Sequence, residues 1–222
     1  MGNADDSAVI IKLVNSLTGV FWSGISHYIP AAFRVIINAT GRDGHISRYV
    51  KHVLTQLALI TYPNALGTVN PVAYLCEKAR EKGIPVLIDG AQAAPHQQVD
   101  VQALGCTFYC ISGHKMYGPT GIGALWAPME TLLAMEPYQG GGEMIKTVTF
   151  EQTVYNDPPG KFEAGTPNIA GGVGLGAAVD YLSGLGMENI ARYESELLRY
   201  ATQKMLEIEG LRIVGTAREK AG

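Results

Sequence analysis

Cysteine is scarce in this 222-residue chain. There are three, Cys76, Cys106 and Cys110, and none falls in a CxxC pair. That argues against a disulfide framework or a cysteine-based zinc site, and an odd, unmatched set suits a reducing compartment. Cys110 lies in an apolar strand-like run and Cys76 on a helix face, so both are expected to be buried small hydrophobes. An excess of one charge is also lacking: 17 basic against 20 acidic residues gives a net charge of −3. Nothing in that balance supports a nucleic-acid partner. No run approaches the ~18 apolar residues a membrane helix needs. The opening Met1-Gly-Asn-Ala-Asp-Asp is acidic, unlike a signal peptide, so cytoplasm is the expected compartment. No repeat or low-complexity tract is visible. What the chain has in quantity is glycine, 27 residues, and a 47% hydrophobic content sufficient for one large domain or a domain and a half.

The apolar pattern alternates between strand and helix. Leu57 to Thr61 reads as a strand. Asn70-Pro71 should open a helix with Asn as cap and Pro at the first helical position, and Val72, Leu75, Cys76 and Ala79 continue it at helical spacing up to Gly83. Pro85 to Asp89 is a short buried strand, so the three form a right-handed parallel βαβ unit. A short helix is expected over 100–104, strands over 107–111 and 122–126, and a short helix over 129–135. Residues 137–160 lack periodicity and carry Gly140-Gly-Gly142 and Pro158-Pro-Gly160, and a loop this long inside a compact domain is usually functional or disordered. Ile169 to Leu182 reads as a tightly packed helix rich in small residues. Glu188 to Glu209 is the clearest amphipathic helix, with Ile190, Tyr193, Leu197, Ala201, Met205 and Ile208 on one stripe. Leu211 to Val214 reads as the start of a strand.

Two strand ends carry chemistry. Val86-Leu-Ile-Asp89-Gly-Ala-Gln92 and Tyr109-Cys-Ile-Ser112-Gly-His114-Lys115 each stop abruptly at polar, reactive side chains. In α/β proteins the ligand crevice lies at the carboxyl ends of the strands. A carboxylate and a lysine converging there suit a pyridoxal phosphate enzyme, in which the lysine amine holds the cofactor aldehyde and the carboxylate keeps the pyridine nitrogen protonated. An isolated lysine is most often a solvated residue in a turn, and an isolated aspartate is most often a strand-end cap. Three features favour the functional reading of Lys115: the apolar strand before it, Ser112 and His114 beside it, and the glycine-rich exit Gly118-Pro-Thr-Gly-Ile-Gly123 that lets backbone approach a ligand. Ser112 and His114 can donate hydrogen bonds to a phosphate. Gln92, three residues after Asp89, is placed to donate to the cofactor's phenolic oxygen.

DGAQA, SGHKMYGPTGIG, the GGGEMI loop and KFEAGTPN together resemble the large domain of a cysteine desulfurase or selenocysteine lyase, in the class V aminotransferase branch of the fold type I pyridoxal phosphate enzymes. The resemblance runs from about Leu57 to the end. It implies an α/β fold: a mainly parallel sheet flanked by helices, with the small C-terminal domain missing. It implies pyridoxal 5'-phosphate as cofactor, Lys115 as the Schiff-base lysine, Asp89 as partner of the pyridine nitrogen, Gln92 as partner of the phenolic oxygen, and Ser112 and His114 as phosphate ligands. Asn64 matches an asparagine that contacts the cofactor or the substrate carboxylate. Thr166, in the Gly165-Thr166 turn, matches a residue that reaches the phosphate in the neighbouring subunit of a homodimer. His27, in Ser26-His27-Tyr28, matches a histidine that stacks on the cofactor ring; a surface histidine is the competing reading. The phosphate-binding turn before a helix corresponds to Asp5-Asp6-Ser7 ahead of Ile10 to Val14, with Ser7 in place of the usual threonine and two carboxylates that repel a phosphate.

The expected division is 1–56, a degenerate or rearranged N-terminal part of the large domain; 57–210, the cofactor-binding core; and 211–222, the start of a truncated small domain. In the family the small domain carries the nucleophilic cysteine and the arginine that grips the substrate carboxylate, and none of the three cysteines here matches that motif. The resemblance implies conversion of cysteine to alanine with sulfur transfer to an acceptor protein, as in iron-sulfur cluster assembly, or the same reaction on selenocysteine. Another class V activity, such as transamination, and a non-catalytic fragment remain open beside it. No nucleic-acid, membrane or metal partner is expected.

Overall fold

The structure is a computed structural model that describes residues 9–14, 57–62, 66–137, 139–215, 217 and 219–221. A five-stranded sheet runs in the order β1-β5-β4-β3-β2, built from β1 (Val9–Val14), β2 (Leu57–Ile60), β3 (Val86–Asp89), β4 (Phe108–Ser112) and β5 (Ile122–Ala127). The β2–α1–β3 unit forms as expected, with helix α1 at Val72–Arg80 and the flanking strands parallel. β4 extends the parallel set after the short helix α2 (Val101–Leu104). β5 then pairs antiparallel with β4, and β1 antiparallel with β5. The reversal has a simple cause. The link between β4 and β5 covers only 113–121, and a parallel return needs a crossover of a dozen or more residues.

The apolar runs sort by strand alternation onto the two faces of the sheet. Leu87, Phe108, Cys110, Leu125 and Ala127 pack on one face with Leu132 of helix α3 (Met129–Ala134) and with Phe162. Leu59, Val86, Ile88 and Tyr109 pack on the other with Val72, Cys76 and Ala79 of α1 and with Cys106. Since neither face of β3 meets water, its sequence reads as an unbroken apolar run rather than an alternation. Asp100 caps α2 by accepting from the Gln102 and Ala103 N–H groups, each at 2.9 Å, and left-handed Gly105 closes it.

Four expectations are corrected. Pro71, not Asn70, takes the cap position of α1, and the Asn70 carbonyl accepts the Val72 N–H at 2.8 Å. The unperiodic stretch 137–160 contains a hairpin, β6 (Ile145–Val148) with β7 (Thr153–Tyr155). All of β6 and most of β7 are exposed, so no buried face imposes an alternation that the sequence would show. Residues 211–214 form no strand, and Leu211 and Val214 are exposed with no ladder partner among the described residues. Val9 to Val14 is strand β1 rather than the helix expected after Ser7, as its β-branched Val-Ile-Ile start favours.

Helices α4 (Ile169–Leu185) and α5 (Met187–Leu206) follow and are bent by 73° at their junction. Among the described residues no single helix is long and apolar enough to cross a membrane. α4 packs on the loop after β4 and buries Ala178 and Leu182; α5 has the expected amphipathic pattern, yet none of its residues is buried.

Gly90, just past β3, shows how tightly the strand ends fit. A Cβ there would lie 2.0 Å from the Tyr109 ring and hydroxyl, which sit against the glycine backbone. Tyr109 is itself buried and cannot step aside. Gly90→Ala is therefore expected to lower stability by at least the ~1–3 kcal/mol typical of overpacking. Urea denaturation measures it, and an unchanged midpoint would contradict the contact.

Candidate active site

Asp89 ends β3 and is held on both sides. Its carbonyl accepts the Thr61 N–H at 3.1 Å, and the next residue, Gly90, donates its N–H to Cys110 O at 3.0 Å. Asp89 Oδ1 accepts the Ala91 N–H at 3.0 Å, an Asx turn that fixes the carboxylate plane. A carboxylate has a second oxygen with which to accept from a ring N–H. The chain then makes a compact helical turn, with Ala93 and Ala94 N–H bonding to Gly90 O and His96 and Gln97 N–H to Ala93 O. Gln92 rides on this turn, half-buried.

Ser112 ends the neighbouring strand, two residues beyond the Asp89↔Cys110 pair and on the same face of the sheet. Its hydroxyl lies 2.8 Å from His114 Nδ1 and the residue is 1% exposed. A single turn of 3₁₀ helix, Gly113–Lys115, follows. The Gly113 carbonyl accepts both Met116 and Gly118 N–H groups at 2.9 Å, which ties the loop into a knot around Lys115. Tyr117 within it has φ +61°, a left-handed conformation costing a non-glycine residue roughly 1–2 kcal/mol. Strain of this kind gathers at functional sites, and no sequence signal marked Tyr117 for it. Lys115 is half-buried and His114 exposed.

The KFEAGTPN segment meets the 113–121 loop through Asn168, which bonds Gly121 O. Gly165 (φ +71°) makes its turn and donates its N–H to Gly142 O at 2.9 Å, so the GGG loop and this turn are joined. Thr166 is exposed. Asn168 caps α4 through the Gly171 N–H and reaches Gly121 O with its amide at 3.4 Å. Lys161 is buried, and its ammonium donates to Leu132 O and Leu133 O, carbonyls near the C-terminal end of α3, which anchors the segment.

The structure thus brings Asp89, Gln92, Ser112, His114 and Lys115 to one edge of the sheet, the carboxyl ends of two adjacent parallel strands. Ser7, His27 and Asn64 lie outside the described residues. The donor set fits pyridoxal phosphate: a carboxylate for the ring nitrogen, an amide for the phenolic oxygen, hydroxyl and imidazole for phosphate, and an amine for the aldehyde. Gly113 leaves no room for a side chain, since a Cβ would meet Ile122 at 2.9 Å.

The three cysteines are not part of this set. All are buried, and burial pushes each thiol up: Cys106 to about 12, Cys76 and Cys110 in the same direction. A nucleophilic cysteine needs a thiolate, so these three are inert. In the native protein a thiol-reactive disulfide reagent at pH 8 should label none of them rapidly, and denaturant should expose all three. Fast labelling of any one before unfolding would contradict this.

Aminotransferase class-V, as a family profile, matches residues 36–222. A probable cysteine desulfurase of Xylella fastidiosa (strain 9a5c) is 56% identical over 165 residues, 74% of this chain and 40% of the relative. A cysteine desulfurase of Enterobacter sp. (strain 638) is 43% identical over 222 residues, 98% of this chain and 55% of the relative. The chain spans about half the length of the curated relatives it matches, or less. The apo structure of the cysteine desulfurase from Thermococcus onnurineus NA1 superposes with a TM-score of 0.71 at 35% identity, covering 75% of this chain and 42% of that one. The S-sulfonic acid form of cysteine desulfurase CsdA from Escherichia coli gives 0.62 at 41% identity, covering 68% and 38%. The α/β large-domain fold implied by the motifs is the fold these proteins share with it, and the chain belongs to the class V aminotransferase family.

Proposed function

We propose that this chain supplies the cofactor-binding part of a pyridoxal phosphate-dependent cysteine desulfurase, acting on cysteine or selenocysteine in the cytoplasm. The observation that carries the reading is the placement of Asp89 and the Ser112–Lys115 segment at the carboxyl ends of adjacent parallel strands. The names of the relatives supply the substrate class.

When bound, the cofactor supplies a ring that draws in the electron pair released at the substrate α-carbon. Lys115 would hold the cofactor through its Nζ, and the same amine is placed to take the substrate α-proton and return it. The Asp89 carboxylate holds a proton on the ring nitrogen. Gln92 donates to the phenolic oxygen. Ser112 and His114 grip the phosphate with Ser7, while Asn64 and His27 hold the substrate or cofactor and the ring face. The net change breaks the cysteine Cβ–S bond: sulfur passes to an acceptor thiol as a persulfide and alanine is released. The inert state of Cys76, Cys106 and Cys110 requires that the thiol come from elsewhere.

Thr166, exposed on a turn joined to the GGG loop, is assigned to the phosphate of a second copy of the chain. The protein is accordingly expected to sediment as a dimer at micromolar concentration. A monomer that retains full cofactor affinity would remove Thr166 from the site.

Function is tested by adding cysteine and a reducing thiol to protein reconstituted with pyridoxal phosphate. Alanine and sulfide in equal amounts are expected. A keto acid instead would point to transamination, and neither product to a non-catalytic chain.

A further inference from the structure

Two loops continue from the strand ends at Asp89 and Ser112, the 90–97 turn with Gln92 and the 113–121 loop with His114 and Lys115, and the α4–α5 pair touches both. α4 is fitted against the loop after Lys115 at several points. A Cβ at Gly174 would lie 2.5 Å from Pro119, so only glycine lets the helix sit this close. Asn168 reaches Gly121 O, and Tyr181 meets Tyr117 edge-to-face at 6.0 Å. α5 touches the other loop differently. None of its residues is buried, so packing does little to fix it there. Its contact is a specific hydrogen bond: His96 Nδ1 lies 3.0 and 2.9 Å from Glu194 Oε1 and Oε2. A carboxylate only accepts, so Nδ1 carries the proton and is shared between the two oxygens.

His96 ends the same helical turn that starts at Gly90. Beside it, Gln97 Oε1 accepts the Tyr62 hydroxyl. Tyr62 follows β2 and stands two positions before Asn64. Burial pushes the Tyr62 hydroxyl up, the Gln97 bond opposes that, and the Glu194 carboxylate adds to the rise. One carboxylate on α5 therefore contacts the turn after β3, and the Tyr62–Gln97 hydrogen bond ties that same turn to the residues just beyond β2.

We propose that Glu194 is a positioning residue for the cofactor site, which through His96 holds the Gln92-bearing turn at a fixed distance from the Lys115 loop that α4 braces. The proposal rests on the reading of these two loops as a pyridoxal phosphate site. It makes α4 and α5 one brace with two feet. Glu194 touches no cofactor atom; it acts by denying the turn the freedom to drift. The sequence gives no local sign of the link, since its two members stand 98 positions apart.

The test uses the full chain and pyridoxal phosphate itself. Equilibrium titration, followed by the visible absorption of the bound cofactor, gives a dissociation constant for the parent and for Glu194→Ala, His96→Leu and the double variant, at a temperature where circular dichroism shows each folded. Each single variant is expected to weaken binding about tenfold and to shift the absorption maximum, because the Gln92 donor is displaced. The double variant is expected to do no more than either single one, the non-additivity of a direct pair. Lys204→Gln, which breaks the exposed Lys204–Glu207 pair on the same helix, should leave both readouts unchanged. A purely structural role would lower the melting temperature and leave affinity and spectrum at parent values, and that result overturns the proposal. If Glu194→Ala does not fold, His96→Leu breaks the same link from the loop side and decides alone. If the parent binds no pyridoxal phosphate, the cofactor reading falls and this inference with it; if the parent binds and the variants bind equally well, only the inference falls.

Discussion

Lys115→Ala is expected to abolish the visible absorption band that protein mixed with pyridoxal phosphate develops, and to reduce proton exchange at the substrate α-carbon by at least ~10²–10⁴-fold, the usual contribution of a positioned acid–base group. The loss has two sources. In the proposed site Nζ would hold the aldehyde carbon and the same nitrogen would carry the α-proton, so a single change would remove both the anchor and the base. Stability should hardly move. Lys115 is half-buried at a turn whose geometry is set by backbone bonds to Gly113 O rather than by the lysine side chain, and substitutions outside the core usually cost less than ~0.5 kcal/mol. Unchanged melting together with a lost band is the expected pair of results. A band of parent intensity in the alanine variant would remove Lys115 from the site.

Asp89→Asn should separate binding from chemistry. Asparagine keeps the Oδ1 acceptor that the Ala91 N–H uses, so the Asx turn and the strand end are expected to survive. What is lost is the negative charge. An opposite charge within hydrogen-bonding range shifts a partner's protonation by ~1–3 units, and removing it lets the ring nitrogen shed its proton. The cofactor should still bind, while α-proton exchange falls by about 10–1,000-fold, the rate equivalent of that shift. Exchange as fast as in the parent would show that Asp89 does not face the ring.

The parts of this protein legible in its sequence are those where one local rule decides. β3 is buried on both faces, so Val86 to Ile88 is unbroken apolar sequence, and the step from Ile88 to Asp89 marks the strand end and the site at once. Val72, Cys76 and Ala79 meet the sheet at helical spacing, and α1 follows. Reading failed where local rules compete or where no buried face exists. Asn70 and Pro71 both favour a helix start, and Pro71 took the cap. The β6–β7 hairpin stands in solvent, so nothing selects alternating residues. The antiparallel turn of β5 follows from the shortness of the 113–121 link, a spacing the sequence itself displays. Long-range contacts were out of reach: neither the fit of Tyr109 against Gly90 nor the His96–Glu194 link leaves a mark on neighbouring residues.

The central claim is that this chain holds pyridoxal phosphate through Lys115 at the carboxyl ends of β3 and β4. Borohydride reduction of the reconstituted protein followed by peptide mapping tests it most directly. The account predicts one stable label, on the peptide spanning Ser112 to Met116, at Lys115. Label recovered on another lysine, or no label from protein that circular dichroism shows to be folded, would contradict it.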